Sequence, residues 1–197
     1  MGGEETEVNE YPWMVALVNP GQRTPWCGGS LVSSQHVLTA AHCTHGHTAS
    51  TIQVLVGEHD TSDTLADRHS VSSIAPHPRY NHSTANFDFS ILTLAAPLNF
   101  SSAAAPVCLP ASPFSLFTDQ VATVAGWGDT SSGGPQSSTL QEVNVTIVSN
   151  DDCQTAYGSR INRYVVYTEP CSIFSIQCHV QYQASLLSIF VNVYRDK

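Results

Sequence analysis

The amino-acid sequence predicts an all-β protein of antiparallel strands, on three observations. Ile52, Val54 and Val56, and again Val143, Val145 and Ile147, alternate with the residues between them, the period of a strand with one buried face. Short apolar runs recur with Gly, Pro, Ser and Asn clusters between them, the rhythm of an antiparallel barrel or sandwich. The composition, 42% hydrophobic and 12% charged over 197 residues, is that of a globular chain. It is long enough for one domain with a sizeable core or two small packed units.

Taken in order, the predicted strands cover 14–18, 29–32, 37–40, 51–56, 70–74, 90–94, 121–126 and 140–148. The first, Met-Val-Ala-Leu-Val, follows Tyr11-Pro12-Trp13, and the next two flank Ser33-Ser34. The strand at 51–56 carries Ile52, Val54 and Val56 at every second position, and Gly57 follows it. Those at 70–74 and 90–94 are separated by a Pro-, Asn- and Ser-containing stretch. The last two lie either side of Gly126 to Pro135, a turn-rich segment. Asn144 falls on the polar side of the final strand.

Sixteen acids against seven bases give a net charge of −9. That balance argues against nucleic-acid binding, which needs a basic face to release counterions. The charges are dispersed, as on a soluble acidic surface. No apolar run is long enough to span a membrane; the best, 186–193, is short and interrupted by Ser188 and Asn192. Six cysteines point to an oxidising compartment. N-glycosylation acceptor triplets at Asn81, Asn99 and Asn144 agree with that. Met1 is followed by Gly-Gly-Glu-Glu, without the basic and apolar regions of a secretory signal. The expectation is an extracellular protein whose N-terminus as written is not that of the secreted precursor.

One stretch organises the rest: Trp26-Cys27-Gly28-Gly29-Ser30-Leu31-Val32, leading to Thr39-Ala40-Ala41-His42-Cys43. It resembles the trypsin/chymotrypsin-like serine proteases, in which Thr-Ala-Ala-His-Cys carries the catalytic histidine. Tyr11-Pro12-Trp13, Asn86-Phe87-Asp88, Pro106-Val-Cys-Leu-Pro110, Val121-Ala-Thr-Val-Ala-Gly-Trp-Gly128 and Asp151-Asp152-Cys153 extend the likeness over residues 2 to about 158. The resemblance implies a chymotrypsin-like antiparallel double β-barrel, with the first barrel complete and the second incomplete. Residues 1–158 form the protease domain: 1–100 the first barrel, 101–120 the crossing, 121–158 the start of the second barrel. Residues 159–197 are an unrelated tail. They contain no glycine, although the first 158 contain twelve. At about 7% ordinary usage two or three are expected in such a length.

The resemblance also assigns chemistry. His42 is the general base, and Asp88, 46 residues on, is the carboxylate that holds it. A carboxylate between Phe87 and Phe89 needs a hydrogen-bonded partner, and the family supplies one in the histidine ring N–H. Cys27 and Cys43 are expected to form a disulfide that fixes where His42 points. Cys108, Cys153, Cys171 and Cys178 allow three connectivities among themselves, and the sequence does not choose.

The nucleophile is missing. Gly-Asp-Ser-Gly-Gly-Pro occurs nowhere, and Ser132-Gly133-Gly134-Pro135 lacks the aspartate and aligns with a loop. With the serine go the oxyanion hole and the specificity pocket. Met1 stands where the family's leading Ile-Val pair should end. The chain is therefore expected to be inactive as written: an incomplete active protease, or else a dead homologue serving as a binding or regulatory module. A third reading is a scaffold for surface interactions. Expected partners are protein or peptide substrates or protease inhibitors, met by a monomer, with no nucleic acid and no membrane.

No cofactor and no metal are expected. His42-x-x-His45-x-His47 beside Cys43 has the look of a zinc pattern, but Cys43 is committed to Cys27 and the histidines sit in a Gly/Thr/Ser loop. Gly57-Glu58-His59-Asp60 resembles the calcium loop of trypsin-like members. Glu58 matches, but Leu65 and Arg68 stand where later acidic ligands belong, and the sequence does not decide calcium binding.

Overall fold

The computed structural model describes residues 3–63, 67–109, 118–131, 134–157, 167–168 and 190–192. After the short strand β1 (Glu4–Glu5) come β2 (Met14–Val18), β3 (Cys27–Leu31), β4 (His36–Thr39), β5 (Gln53–Val56), β6 (Asp67–Pro76) and β7 (Ser90–Leu94). Strands β2 to β7 close an antiparallel barrel in the order β2-β3-β4-β7-β6-β5. The strands expected from sequence are present, those at 14–18, 90–94 and 121–126 with the expected bounds and the others with shifted ends. The largest shift is at β6, which pairs with β5 through Asp67–Ser70 and then with β7 through Val71–Pro76, its register breaking between Val71 and Ser73. One long strand thus serves two neighbours and turns the barrel corner at an irregularity, a common device for closure.

The barrel interior holds Val15, Leu17, Leu31, Val37, Ile52, Val54, Val56, Leu92 and Leu94. The alternation at 52, 54 and 56 therefore marks an inward face. Gly29 on β3 is required by close approach. A Cβ there would lie 2.6 Å from Val37 Cγ1, 3.0 Å from the Leu38 carbonyl oxygen and 3.3 Å from Val15 Cγ2. Gly29→Ala is expected to cost about 1–3 kcal/mol through overpacking. A lower urea midpoint at unchanged slope would register it.

The second unit begins with β8 (Val121–Gly126) and β9 (Gln141–Val148), followed by α2 (Asn150–Tyr157), β10 (Tyr167–Thr168) and β11 (Phe190–Asn192). These form an open sheet, β1-β9-β8-β11, with β10 also paired to β9. The first barrel is closed and, among the described residues, the second unit is a partial sheet, in line with the chymotrypsin-like double barrel that the resemblance implies. The predicted alternation on β9 is only partly realised: Ile147 is fully buried, but Val143 is exposed.

Strand β2 is buried along its whole length. Val15 and Leu17 face the barrel interior. Met14, Ala16 and Val18 join Leu55 in a second cluster with Ala125, Trp127 and Leu140. That double duty explains why 14–18 is continuously apolar rather than alternating. Polar bonds stitch the same seam: Trp127 Nε1 donates to the His59 carbonyl at 3.0 Å, the Leu140 amide to the same oxygen at 2.9 Å, and the Thr61 amide to the Ser138 carbonyl at 2.8 Å. At the N-terminal side Tyr11 Oη donates to Glu142 Oε2.

Candidate active site

Strands β4 and β7 pair antiparallel, with Leu38 opposite Ile91 and Thr39 opposite Ser90. The chain continues beyond this ladder at one end as residues 40–45 and enters it from 86–89. Residues far apart in sequence therefore meet just past the end of one strand pair. On one side the backbone turns at Ala40 into the single helical turn α1 (Ala41–Thr44). Ala41 is fully buried, and Cys43 is tied to Cys27 on β3. The expected disulfide is formed, and with Ala41 packed inward the His42 ring projects outward.

On the other side, Ala85 and Phe87 take positive φ values of 51° and 56°, a conformation that costs a non-glycine residue on the order of 1–3 kcal/mol. The surroundings hold Phe87 there. Its ring stacks on His77 at 4.8 Å and carries the Arg79 guanidinium at 4.2 Å. The Phe89 amide donates to the Phe87 carbonyl at 2.8 Å. Between these two aromatics, Asp88 turns inward.

The two predicted residues are brought together. Asp88 Oδ1 accepts from the His42 backbone amide at 2.7 Å, and Oδ2 lies 2.6 Å from His42 Nδ1. The Asp88 side chain is 4% exposed and the His42 side chain 49%. An ionised carboxylate only accepts, so Nδ1 carries the proton and Nε2 keeps a lone pair. Nε2 lies 3.5 Å from Cys43 Sγ. The arrangement is a half-exposed imidazole, oriented and held in one tautomer by a buried carboxylate. It is suited to take a proton from an acid presented at Nε2.

Ser132, the first residue of the decoy Ser-Gly-Gly-Pro, lies outside the described residues, as do Cys171 and Cys178. Cys108 is exposed and in no disulfide among the described residues. Asn81, Asn99 and Asn144 are all exposed. Asn81 Oδ1 accepts from the amides of Ser83 and Thr84, and Asn144 Oδ1 from Thr123 Oγ1.

The loop after β5 holds a feature that sequence reasoning missed. Glu58 is buried and pairs with Arg23 at 2.9 Å; Arg23 also reaches Asp63 at 3.6 Å and donates through Nε to the Thr61 carbonyl at 3.1 Å. A guanidinium thus sits among the oxygens that a calcium ion would need. The residues do not fit a bound cation without displacing Arg23. The separation of 35 residues between Arg23 and Glu58 left no local signal.

Burial pushes the Glu58 carboxyl up to about 7, although Arg23 pulls the other way. The folded protein then holds this proton more tightly than the unfolded chain does. Its contribution to stability is fully present below the ordinary value of 4.5 and is lost as pH rises through about 7. Glu58→Gln is expected to flatten this fall, read as melting temperature against pH by circular dichroism.

Comparison with known proteins places these features in a wider setting. The family model described as Trypsin matches residues 1–175, running past residue 158. A trypsin of Saccharopolyspora erythraea is 40% identical over 160 residues, which cover 80% of this chain and 68% of that protein. A venom serine protease of Polistes dominula is 34% identical over 169 residues, covering 82% and 60%. Trypsin, alkaline C, of Manduca sexta is 35% identical over 175 residues, covering 87% and 68%. The chain thus spans between 60% and 68% of the length of these three relatives.

Proposed function

The chain belongs to the trypsin family of serine proteases, and from that premise we propose that His42 and Asp88 are the proton-handling half of a serine endopeptidase site whose nucleophile these 197 residues do not supply. The observation that carries this reading is the pair itself, a buried carboxylate bonded to both the backbone amide and Nδ1 of His42. In the triad chemistry of this family, Nε2 takes the serine proton as the hydroxyl attacks the scissile carbonyl, then returns it to the leaving amine. Asp88 steadies the imidazolium and does not itself take the proton. Two backbone N–H groups beside the serine would hold the oxyanion.

The sequence contains no Gly-Asp-Ser-Gly-Gly-Pro, so this 197-residue chain is inactive on its own. Residues 1–158 act as the protease domain and 159–197 as a tail without a nucleophile turn. Losing the serine from a triad costs on the order of a millionfold in turnover. Purified chain, offered a fluorophosphonate probe and fluorogenic peptides, is expected to show neither labelling nor turnover. Labelling of one serine that disappears in His42→Ala would overturn that and identify a complete triad.

The Cys27–Cys43 disulfide and the exposed Asn81, Asn99 and Asn144 support an extracellular, glycosylated protein. No helix among the described residues is long and apolar enough to cross a membrane. Its partners would be peptide substrates or protease inhibitors. The second reading is a binding or regulatory module without catalysis, supported by the closed first barrel; the open second sheet favours the first reading.

A further inference from the structure

Asp88 is reached through a segment whose backbone is unfavourable by itself. Ala85 and Phe87 hold positive φ, so residues 86–89 need outside contacts to keep one conformation. His77 makes two of them. Its ring stacks on Phe87, with centroids 4.8 Å apart and planes 19° from parallel, and meets the Phe89 ring at 4.6 Å with a tilt of 48°. One imidazole thus touches the rings on both sides of Asp88, whose own side chain goes to His42 instead.

His77 is itself fixed by the backbone around it. It follows β6 directly, where Pro76 opposes Ser90 of β7, and its amide donates to the Phe89 carbonyl at 2.9 Å. Nδ1 accepts from the Arg79 amide at 3.2 Å, and the Tyr80 amide donates to the His77 carbonyl at 2.8 Å. The turn therefore directs the imidazole independently of either phenylalanine side chain. Phe89 is 45% exposed, so burial alone does not hold its ring in place.

We propose that His77 is a positioning residue for the His42–Asp88 pair, acting through Phe87 and Phe89 as a ring bracket that keeps the carboxylate aimed at Nδ1. This role rests on the reading of His42 and Asp88 as a proton-handling pair. A pivot of the backbone at 86–89 would break both bonds from Asp88 to His42 together. Ring contacts before and after Asp88 oppose that pivot, whereas a contact on one side alone would leave the other free to turn.

The full 197-residue chain serves for the test, and no turnover is needed. The His42 Nδ1–H bonded to Asp88 is expected in NMR spectra as a downfield ring proton in slow exchange with water. His77→Ala should speed that exchange about tenfold or more. Phe89→Ala should act in the same direction, and it reads the same contact should His77→Ala fail to fold. His77→Phe keeps a ring against both phenylalanines and should restore slow exchange. His77→Asn keeps an acceptor for the Arg79 amide but no ring, and should behave like His77→Ala. Asp88→Asn is the control for the pair and should abolish the Nδ1–H signal. If it does so while the His42 proton is unchanged in His77→Ala and Phe89→Ala, whatever their melting temperatures, His77 only stabilises the loop and the bracket alone is overturned. A signal that survives Asp88→Asn overturns the pairing itself, and the bracket with it.

Discussion

Asp88→Asn is expected to flip His42 from the Nδ1–H to the Nε2–H tautomer while leaving the ring in place. The carboxylate can only accept, which forces the proton onto Nδ1. The amide of asparagine can donate to Nδ1, and the proton then moves to the nitrogen that should act as base. Nitrogen-15 shifts of the His42 ring read this directly in the 197-residue chain, without any activity. In a version given a nucleophile turn from a relative, the same substitution should lower turnover about ten-thousandfold, the size of effect known for this family's triad. A His42 ring that stays Nδ1–H in the variant would show that Asp88 does not set the tautomer.

Leu92→Ala is the second large effect, on stability rather than chemistry. Leu92 is fully buried and lies on β7 between two partners, opposite Val37 on β4 and Ile74 on β6. Truncation removes apolar contacts and leaves a cavity in a closed barrel whose hydrogen-bonded strands resist collapse. The expected loss is about 2–5 kcal/mol, a large share of the roughly 5–15 kcal/mol by which domains are stable. Chemical denaturation followed by tryptophan fluorescence measures it. Leu92→Met, which preserves volume, should cost less than about 1.5 kcal/mol. Because β7 also leads out of Asp88, the Ala variant should broaden the His42 ring signals before the fold is lost.

The first barrel was legible because its strands carry local signals: alternation at 52, 54 and 56, and turn clusters between short runs. The His42–Asp88 pair was legible only through resemblance. Nothing in the spacing of His42 and Asp88 says that the β4–β7 register will bring them together. The Arg23–Glu58 pair and the stacking of His45 on His82 were not legible, since each joins loops that meet only after the barrel closes. The ends of β6 were missed for a related reason. Most of Asp67 to Pro76 is polar or exposed, with Val71 its one buried residue. Its strand character comes from two neighbours in turn. The helical turn α1 is too short to display a period.

The strand Met14–Val18, with one face in each core, has a consequence for how the molecule comes apart. Peeling the second sheet away would strip cover from Met14, Ala16, Val18 and Leu55, and those residues belong to two barrel strands. Opening of the sheet is therefore charged against the barrel as well. Amide protons of β2 and β5 should exchange with solvent in step with those of β8 rather than as a separate block. On that expectation the barrel and the sheet would open as one foldon, and a lesion in the sheet would be felt at the wall of the barrel that supports His42.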